Sequence, residues 1–191
     1  MTQPNLLEVD WSKIPAPVDD GGASHLKGKT IPPVSLLATD DTRVTLSSLK
    51  GRTVVFAYPR TGEPGKIALV DDWDMIPGAR GCTPQTCAFR DLFAELKAAG
   101  AKQVFGLSTQ SNEYQTEMAS RLHLPFPVLS DESLQLTQAL DLPTMDVAGL
   151  TMIKRLALII DDARITHVFY PVFPPDRNAG DVLAWLKANP V

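Results

Sequence analysis

Apolar positions along this chain fall into two patterns, short continuous runs and helical spacings, and the two take turns. Thr53-Val54-Val55-Phe56-Ala57-Tyr58 is continuous and rich in β-branched residues, which predicts a strand buried on both faces. Phe89, Leu92, Phe93 and Leu96 then recur at i, i+3, i+4 and i+7, one face of a helix over Thr83 to Leu96 with Gly100 as its stop. Gln103-Val104-Phe105-Gly106-Leu107-Ser108 reads as a second strand, followed by a helix with Tyr114, Met118 and Leu122 on one face. Phe126-Pro127-Val128-Leu129 is a short strand, and a helix follows over 132–139. Leu156-Ala157-Leu158-Ile159-Ile160 and Ile165-Thr166-His167-Val168-Phe169-Tyr170 are strands joined through Asp161-Asp162-Ala163-Arg164, and a last helix covers 178–188. Upstream, Pro33–Leu37 and Arg43–Leu46 flank Asp40-Asp41 as a hairpin.

Two stretches break the alternation. The first 25 residues are rich in Pro and Gly with little periodicity and read as an irregular arm. Residues 60–80 form a long segment with Gly, Pro and the acidic run Asp71-Asp72-Trp73-Asp74, a length found in functional or mobile loops. Otherwise strand, helix, strand, helix, hairpin and closing helix spell an α/β fold in a single domain spanning 1–191. A βαβ unit followed by ββα, with cysteines where the first strand meets its helix, is the thioredoxin arrangement.

The composition narrows the function classes. The chain has 191 residues, 44% hydrophobic and 21% charged, enough for a substantial core. A net charge of −4 with no Lys/Arg cluster argues against nucleic acid and anionic membrane partners. The N-terminus lacks the basic start and apolar core of a secretory leader, and no apolar run approaches the ~20 residues that span a bilayer. A cytoplasmic protein is the expectation.

The two cysteines carry the chemistry. Cys82 and Cys87 are too few for a disulfide scaffold, and cytosolic disulfides tend to be catalytic or sensing. Cys82 falls at the predicted helix start, where unpaired N–H groups and the helix dipole favour a thiolate. Five helical residues rise ~7.5 Å and rotate by ~140°, so an intact helix keeps the two thiols apart. If they pair, the first turns must unwind. Structural zinc usually takes four ligands, and His25, His123 and His167 show no ligand spacing to the thiols. A buried, inert pair of thiols is the bland alternative.

The run Gly81-Cys82-Thr83-Pro84-Gln85-Thr86-Cys87-Ala88-Phe89-Arg90-Asp91 resembles the peroxiredoxins of the bacterioferritin comigratory protein class, also called PrxQ. Tyr58-Pro59, Leu124-Pro125-Phe126-Pro127-Val128-Leu129-Ser130-Asp131 and Arg155, six residues before Asp161, match further motifs of that class in the same order. The resemblance runs over roughly residues 28 to 188. It implies a peroxiredoxin fold of the thioredoxin-like type, a central mixed sheet flanked by helices with an N-terminal hairpin extension. It also implies a thiol peroxidase for hydrogen peroxide or organic hydroperoxides. Cys82 would be the peroxidatic cysteine, Cys87 the resolving one through an intramolecular disulfide, and Arg155 the stabiliser of thiolate and peroxide. No metal or organic cofactor is implied. The implied partners are a peroxide and a thioredoxin-like or glutaredoxin-like reductant, with the chain a monomer or homodimer.

Three positions depart from the class. Ala79 stands where Thr or Ser usually precedes the first cysteine by three, Met75 where a Pro is usual, and Gln85 where Glu is common. About sixteen extra residues follow Tyr58-Pro59, and Thr61 keeps the class's short distance from Pro59. A lost hydroxyl contact of ~1–3 kcal/mol slows peroxide reduction by one or two decades. Thr61, Thr83 and Arg80 are candidates for supporting contacts. Two other readings stand beside the peroxidase. A thiol–disulfide oxidoreductase is disfavoured by four residues between the cysteines rather than two. A redox-sensing module with weak peroxidase activity is favoured by Ala79 and the insertion.

Overall fold

The computed structural model describes residues 9–191, so the first third of the predicted arm lies outside the described residues. The hairpin is strands β1 (Ser35–Ala38) and β2 (Arg43–Thr45), antiparallel with Leu36 opposite Val44. Strand β3 (Arg52–Ala57) leads through the long 60–80 segment to helix α1 (Cys82–Asp91). Helix α2 (Phe93–Ala98), strand β4 (Gln103–Ser108), helix α3 (Asn112–Arg121) and strand β5 (Val128–Ser130) follow. Then come helix α4 (Gln135–Leu140), strands β6 (Thr144–Val147), β7 (Leu150–Ile153), β8 (Leu156–Asp161) and β9 (Arg164–Phe169), and helix α5 (Asn178–Ala188).

Seven strands form one mixed sheet in the order β2-β1-β5-β4-β3-β8-β9. β3 runs parallel to β4, and β4 to β5, while β8 and β9 join antiparallel. Alternation along the central strands divides the core in two. Val55 and Ala57 of β3, with Leu156, Leu158 and Ile160 of β8, face a core completed by Leu136 and Leu140 of α4. Val54, Phe56 and Tyr58, with Ala157 and Ile159, face the core of α1, α3 and α5, which includes Cys82, Phe89, Met118 and Val182. Both faces of β3 are therefore buried, as its continuous apolar run predicts.

Four expectations need correction. The helix predicted over Thr83 to Leu96 is two helices, because Leu92 leaves helical geometry (φ −98°, ψ 10°) between α1 and α2. Phe89 and Leu96 remain fully buried on either side of the break. The helix predicted from 132 begins instead at Gln135: Asp131 first makes a turn, then accepts from the N–H groups of Leu136 and Thr137. The β6–β7 hairpin is absent from the sequence reading. It turns on Ala148 and Gly149, both at positive φ, with Val147 opposite Leu150. The arm is also more than a lead-in. Ala23, Leu26 and Ile31 are buried in the α4-side core, and Gly28 and Ile31 donate to the carbonyls of Ile165 on β9 and of Ala163 in the turn before it.

Candidate active site

Cys82 is the first residue of α1 and is almost wholly buried. Its helix is seated by aromatic packing, the ring of Phe89 stacked at 4.1 Å on Phe56 of β3. Gly81 caps the helix at φ 105°, a conformation that L side chains rarely adopt. A Cβ there would lie 2.6 Å from Pro175 and 2.7 Å from Trp11. The chain thus reaches Cys82 through a left-handed turn closed over by the arm and by the loop before α5. Trp11 is held in place by a 3.0 Å hydrogen bond from its indole to Asp176.

Arg155 immediately precedes β8 and reaches across to the same sulfur. Its Nη2 lies 3.3 Å from Cys82 Sγ and also donates to the carbonyls of Gly78, Ala79 and Arg80 at 3.0–3.3 Å. Its Nη1 donates to Gln85 Oε1 at 2.5 Å, and Gln85 Nε2 donates in turn to Asn178 Oδ1 at 2.9 Å. All four of these side chains are buried. Arg155 makes no ion pair among the described residues; its acceptors are neutral oxygens and the Cys82 sulfur. The Cys82 thiol itself donates to the Ala79 carbonyl at 3.6 Å. Ala79 therefore contributes its backbone, and no side-chain hydroxyl, at that place.

Cys82 and Thr83 open onto a cavity of about 530 Å³ whose other walls come largely from the 60–80 segment. Thr61 lies in its wall. Its N–H and hydroxyl both donate to Gln110 Oε1, and its carbonyl accepts from the Tyr114 hydroxyl at 2.9 Å. The insertion thus folds back, and Thr61, 21 positions before Cys82, lines the same cavity. Arg80 also lines it, but its side chain pairs with Asp74 at 3.0 Å and not with the sulfur. Tyr58 is fully buried, donates to Gln115 at 3.0 Å, and burial pushes its phenol well above the ordinary range, with the nearby Cys82 acting the same way.

Cys87 lies on the same helix, buried, and burial pushes its thiol up from the ordinary value. Both thiols are free. Arg90, three residues on, donates to the Leu122 carbonyl at 3.1 Å and pairs with Asp91, tying the far end of α1 to the end of α3. His167 packs against Trp185 and Phe169 at 4.9 Å and 4.6 Å.

Sequence reasoning missed Trp11, Gln110 and Asn178. None carries a local motif, since each acts on the site across 49 to 165 positions of chain. Gly81 before a helical cysteine was the available signal that something packs closely at that turn.

A family model described as Redoxin matches residues 26–183. The chain is 32% identical over 168 residues to Peroxiredoxin Q, chloroplastic, of Sedum lineare, covering 87% of this chain and 80% of that protein. It is 33% identical over 167 residues to Peroxiredoxin Bcp of Escherichia coli K12, covering 85% and 96%. Among solved structures it resembles the peroxidoxin BcpB of Mycobacterium tuberculosis, with a TM-score of 0.69, 28% identity, and coverage of 87% of this chain and all of that one.

Proposed function

The chain belongs to the peroxiredoxins of the Q/Bcp class, and we propose from that premise that it reduces peroxides through Cys82 and resolves the product through Cys87. The supporting observation is the buried Cys82 sulfur at a helix start, 3.3 Å from an arginine nitrogen and open to a cavity.

The Cys82 thiolate attacks the terminal oxygen of the peroxide. An S–O bond forms and the O–O bond breaks. The leaving oxygen takes a proton and departs as water or alcohol, and Cys82 becomes a sulfenic acid. Arg155 stabilises the negative charge on sulfur and then on the departing oxygen. Gln85, held by Asn178, fixes the plane of the guanidinium. Thr83 supplies a hydroxyl of the cavity wall in place of the one missing at Ala79, while the Thr61 hydroxyl proton is committed to Gln110.

Resolution needs a different backbone. Cys82 and Cys87 sit about 140° apart around α1, so the helix start unwinds before Cys87 attacks the sulfenic sulfur, forms the S–S bond and releases water. Arg90 holds the end of α1 that stays wound. A thioredoxin-like or glutaredoxin-like dithiol then reduces the disulfide, which requires a reducing compartment such as the cytoplasm.

The test is peroxide consumption by purified protein with a thioredoxin donor. Cys82→Ser is expected to abolish it, and Cys87→Ser to stop turnover while one equivalent of peroxide is still consumed. Full activity in Cys82→Ser would overturn the assignment.

A further inference from the structure

The segment that must unwind lies under the N-terminal arm. At Gly81 there is no room for a Cβ, which would fall 2.7 Å from the Trp11 ring and 2.6 Å from Pro175. Trp11 is fixed in turn: its indole donates to Asp176 at 3.0 Å, and its ring meets Phe173 edge-on at 6.0 Å. Further along the arm, Pro17 packs over Gly78, 3.7 Å from where a Cβ would stand. Pro17 and Val18 also share a small cavity with Pro77, Gly78 and Arg155. The arm therefore crosses the stretch from Pro77 to Gly81, whose carbonyls at Gly78, Ala79 and Arg80 hold Arg155.

The arm is held unequally along its length. Asp20 accepts from Lys154 at 2.6 Å and from the Tyr170 hydroxyl at 2.7 Å, and Ala23 and Leu26 behind it are buried in the core. From 9 to 22 no residue is fully buried, and Val18 is 82% exposed. This is a strap, fixed at Asp20 and closed at Trp11 against Phe173, Asp176 and Gly81. A segment with so little buried surface opens at far less cost than the core does.

We propose that Trp11 and Asp176 position the Gly81 turn for the reaction: closed, the strap keeps α1 wound with Cys82 beside Arg155, and its release sets the rate at which Cys87 reaches the sulfenic sulfur. The inference rests on the peroxidase reading above. A sulfenic acid at Cys82 has two outcomes. In one, Cys87 attacks it, the S–S bond forms and water leaves. In the other, its sulfur takes the distal oxygen of a second peroxide. A second S–O bond forms, the O–O bond breaks, water or alcohol leaves, and Cys82 ends as a sulfinic acid, out of the cycle. The first outcome needs α1 unwound, and the second needs it wound. A closed strap favours the second, so Trp11 fixes the peroxide concentration at which the protein begins to inactivate.

The test is quench-flow of reduced protein with hydrogen peroxide. Each time point is alkylated and its mass measured, so that thiol, disulfide and sulfinic acid are counted without a fluorescent reporter. Trp11→Ala is expected to raise the rate of disulfide formation about tenfold, and Asp176→Ala, which removes only the acceptor, about threefold. Trp11→Phe keeps a ring over Gly81 and is expected to fall between the parent and Trp11→Ala. The peroxide concentration that leaves half the protein as sulfinic acid is expected to rise along with the rate. Leu140→Ala, in the core on the other face of the sheet, destabilises the fold without touching the strap and is expected to leave both readings unchanged. Disulfide formation no faster in Trp11→Ala, or faster by the same factor in Leu140→Ala, would overturn the inference while leaving the peroxidase reading intact. Failure of Cys82 to oxidise in the parent protein would overturn the peroxidase reading and this inference with it.

Discussion

Gln85 Oε1 accepts a 2.5 Å hydrogen bond from Nη1 of Arg155, and so a neutral amide holds the cation that faces the Cys82 sulfur. The positive charge is left for the sulfur instead of being shared with a carboxylate. Gln85→Ala leaves a second nitrogen of the buried guanidinium without a partner, since Nε already has none. An unmade hydrogen bond of ~1–3 kcal/mol corresponds to about 10–100-fold in rate. The second-order rate of peroxide reaction is expected to fall by that factor. Gln85→Glu keeps the acceptor and is expected to stay within tenfold of the parent. Equal losses in both variants would show that Gln85 matters only for packing.

Arg155 itself is worth more. Removing one preorganised donor at a developing charge costs about 10²–10³ in rate. Arg155→Met is expected to lose that much in the peroxide step. Arg155→Lys is expected to lose most of it too, because one ammonium cannot serve both the sulfur and the row of carbonyls from Gly78 to Arg80. Circular dichroism of both variants checks that the fold persists, and a retained rate in Arg155→Met would refute the role.

Gly81 is a structural test of the same turn. Left-handed geometry costs an L residue ~1–2 kcal/mol, and a Cβ would meet Pro175 and Trp11 at under 2.8 Å. Gly81→Ala is expected to lower unfolding free energy in urea by at least that amount. Gly180→Ala, within α5 and with nothing inside 4 Å, is the matched control. It is expected to stabilise by ~0.5–1 kcal/mol, the ordinary helical preference for Ala.

Much of this site is legible in the sequence because it is local. Gly81-Cys82-Thr83 at the head of a periodic apolar face places the thiol at a helix start, and the continuous run through β3 places that helix on a buried sheet. The rest depends on chain segments that meet only in the folded molecule. Trp11 reaches Gly81 and Asp176, Asn178 reaches Gln85, and Thr61 reaches Gln110, none of which a local pattern encodes. The β6–β7 hairpin did carry a local signal, Ala148-Gly149 between two apolar strands. The break at Leu92 carried none, since the periodicity of Phe89, Phe93 and Leu96 runs straight through it.

The pH dependence of resolution follows from burial of Cys87. Burial raises its thiol above the ordinary value, so the wound helix holds it protonated. The wound state's advantage is complete below the ordinary thiol range and is lost as pH rises through the raised value. Unwinding and attack are therefore both favoured by alkaline pH. The first-order resolution rate is expected to climb across that range, measured after a saturating pulse of peroxide. A rate that falls with pH would contradict the burial argument.

The most direct measurement of the central claim is stopped-flow tryptophan fluorescence of the reduced protein mixed with peroxide, with Trp11 packed over Gly81 and Trp73 in the cavity wall as reporters. The account predicts two phases. The first is proportional to peroxide concentration, as Cys82 is oxidised. The second is independent of it, as α1 unwinds and the Cys82–Cys87 disulfide forms. Cys87→Ser is expected to keep the first and lose the second. A single phase in the parent protein, or a second phase surviving in Cys87→Ser, would contradict it.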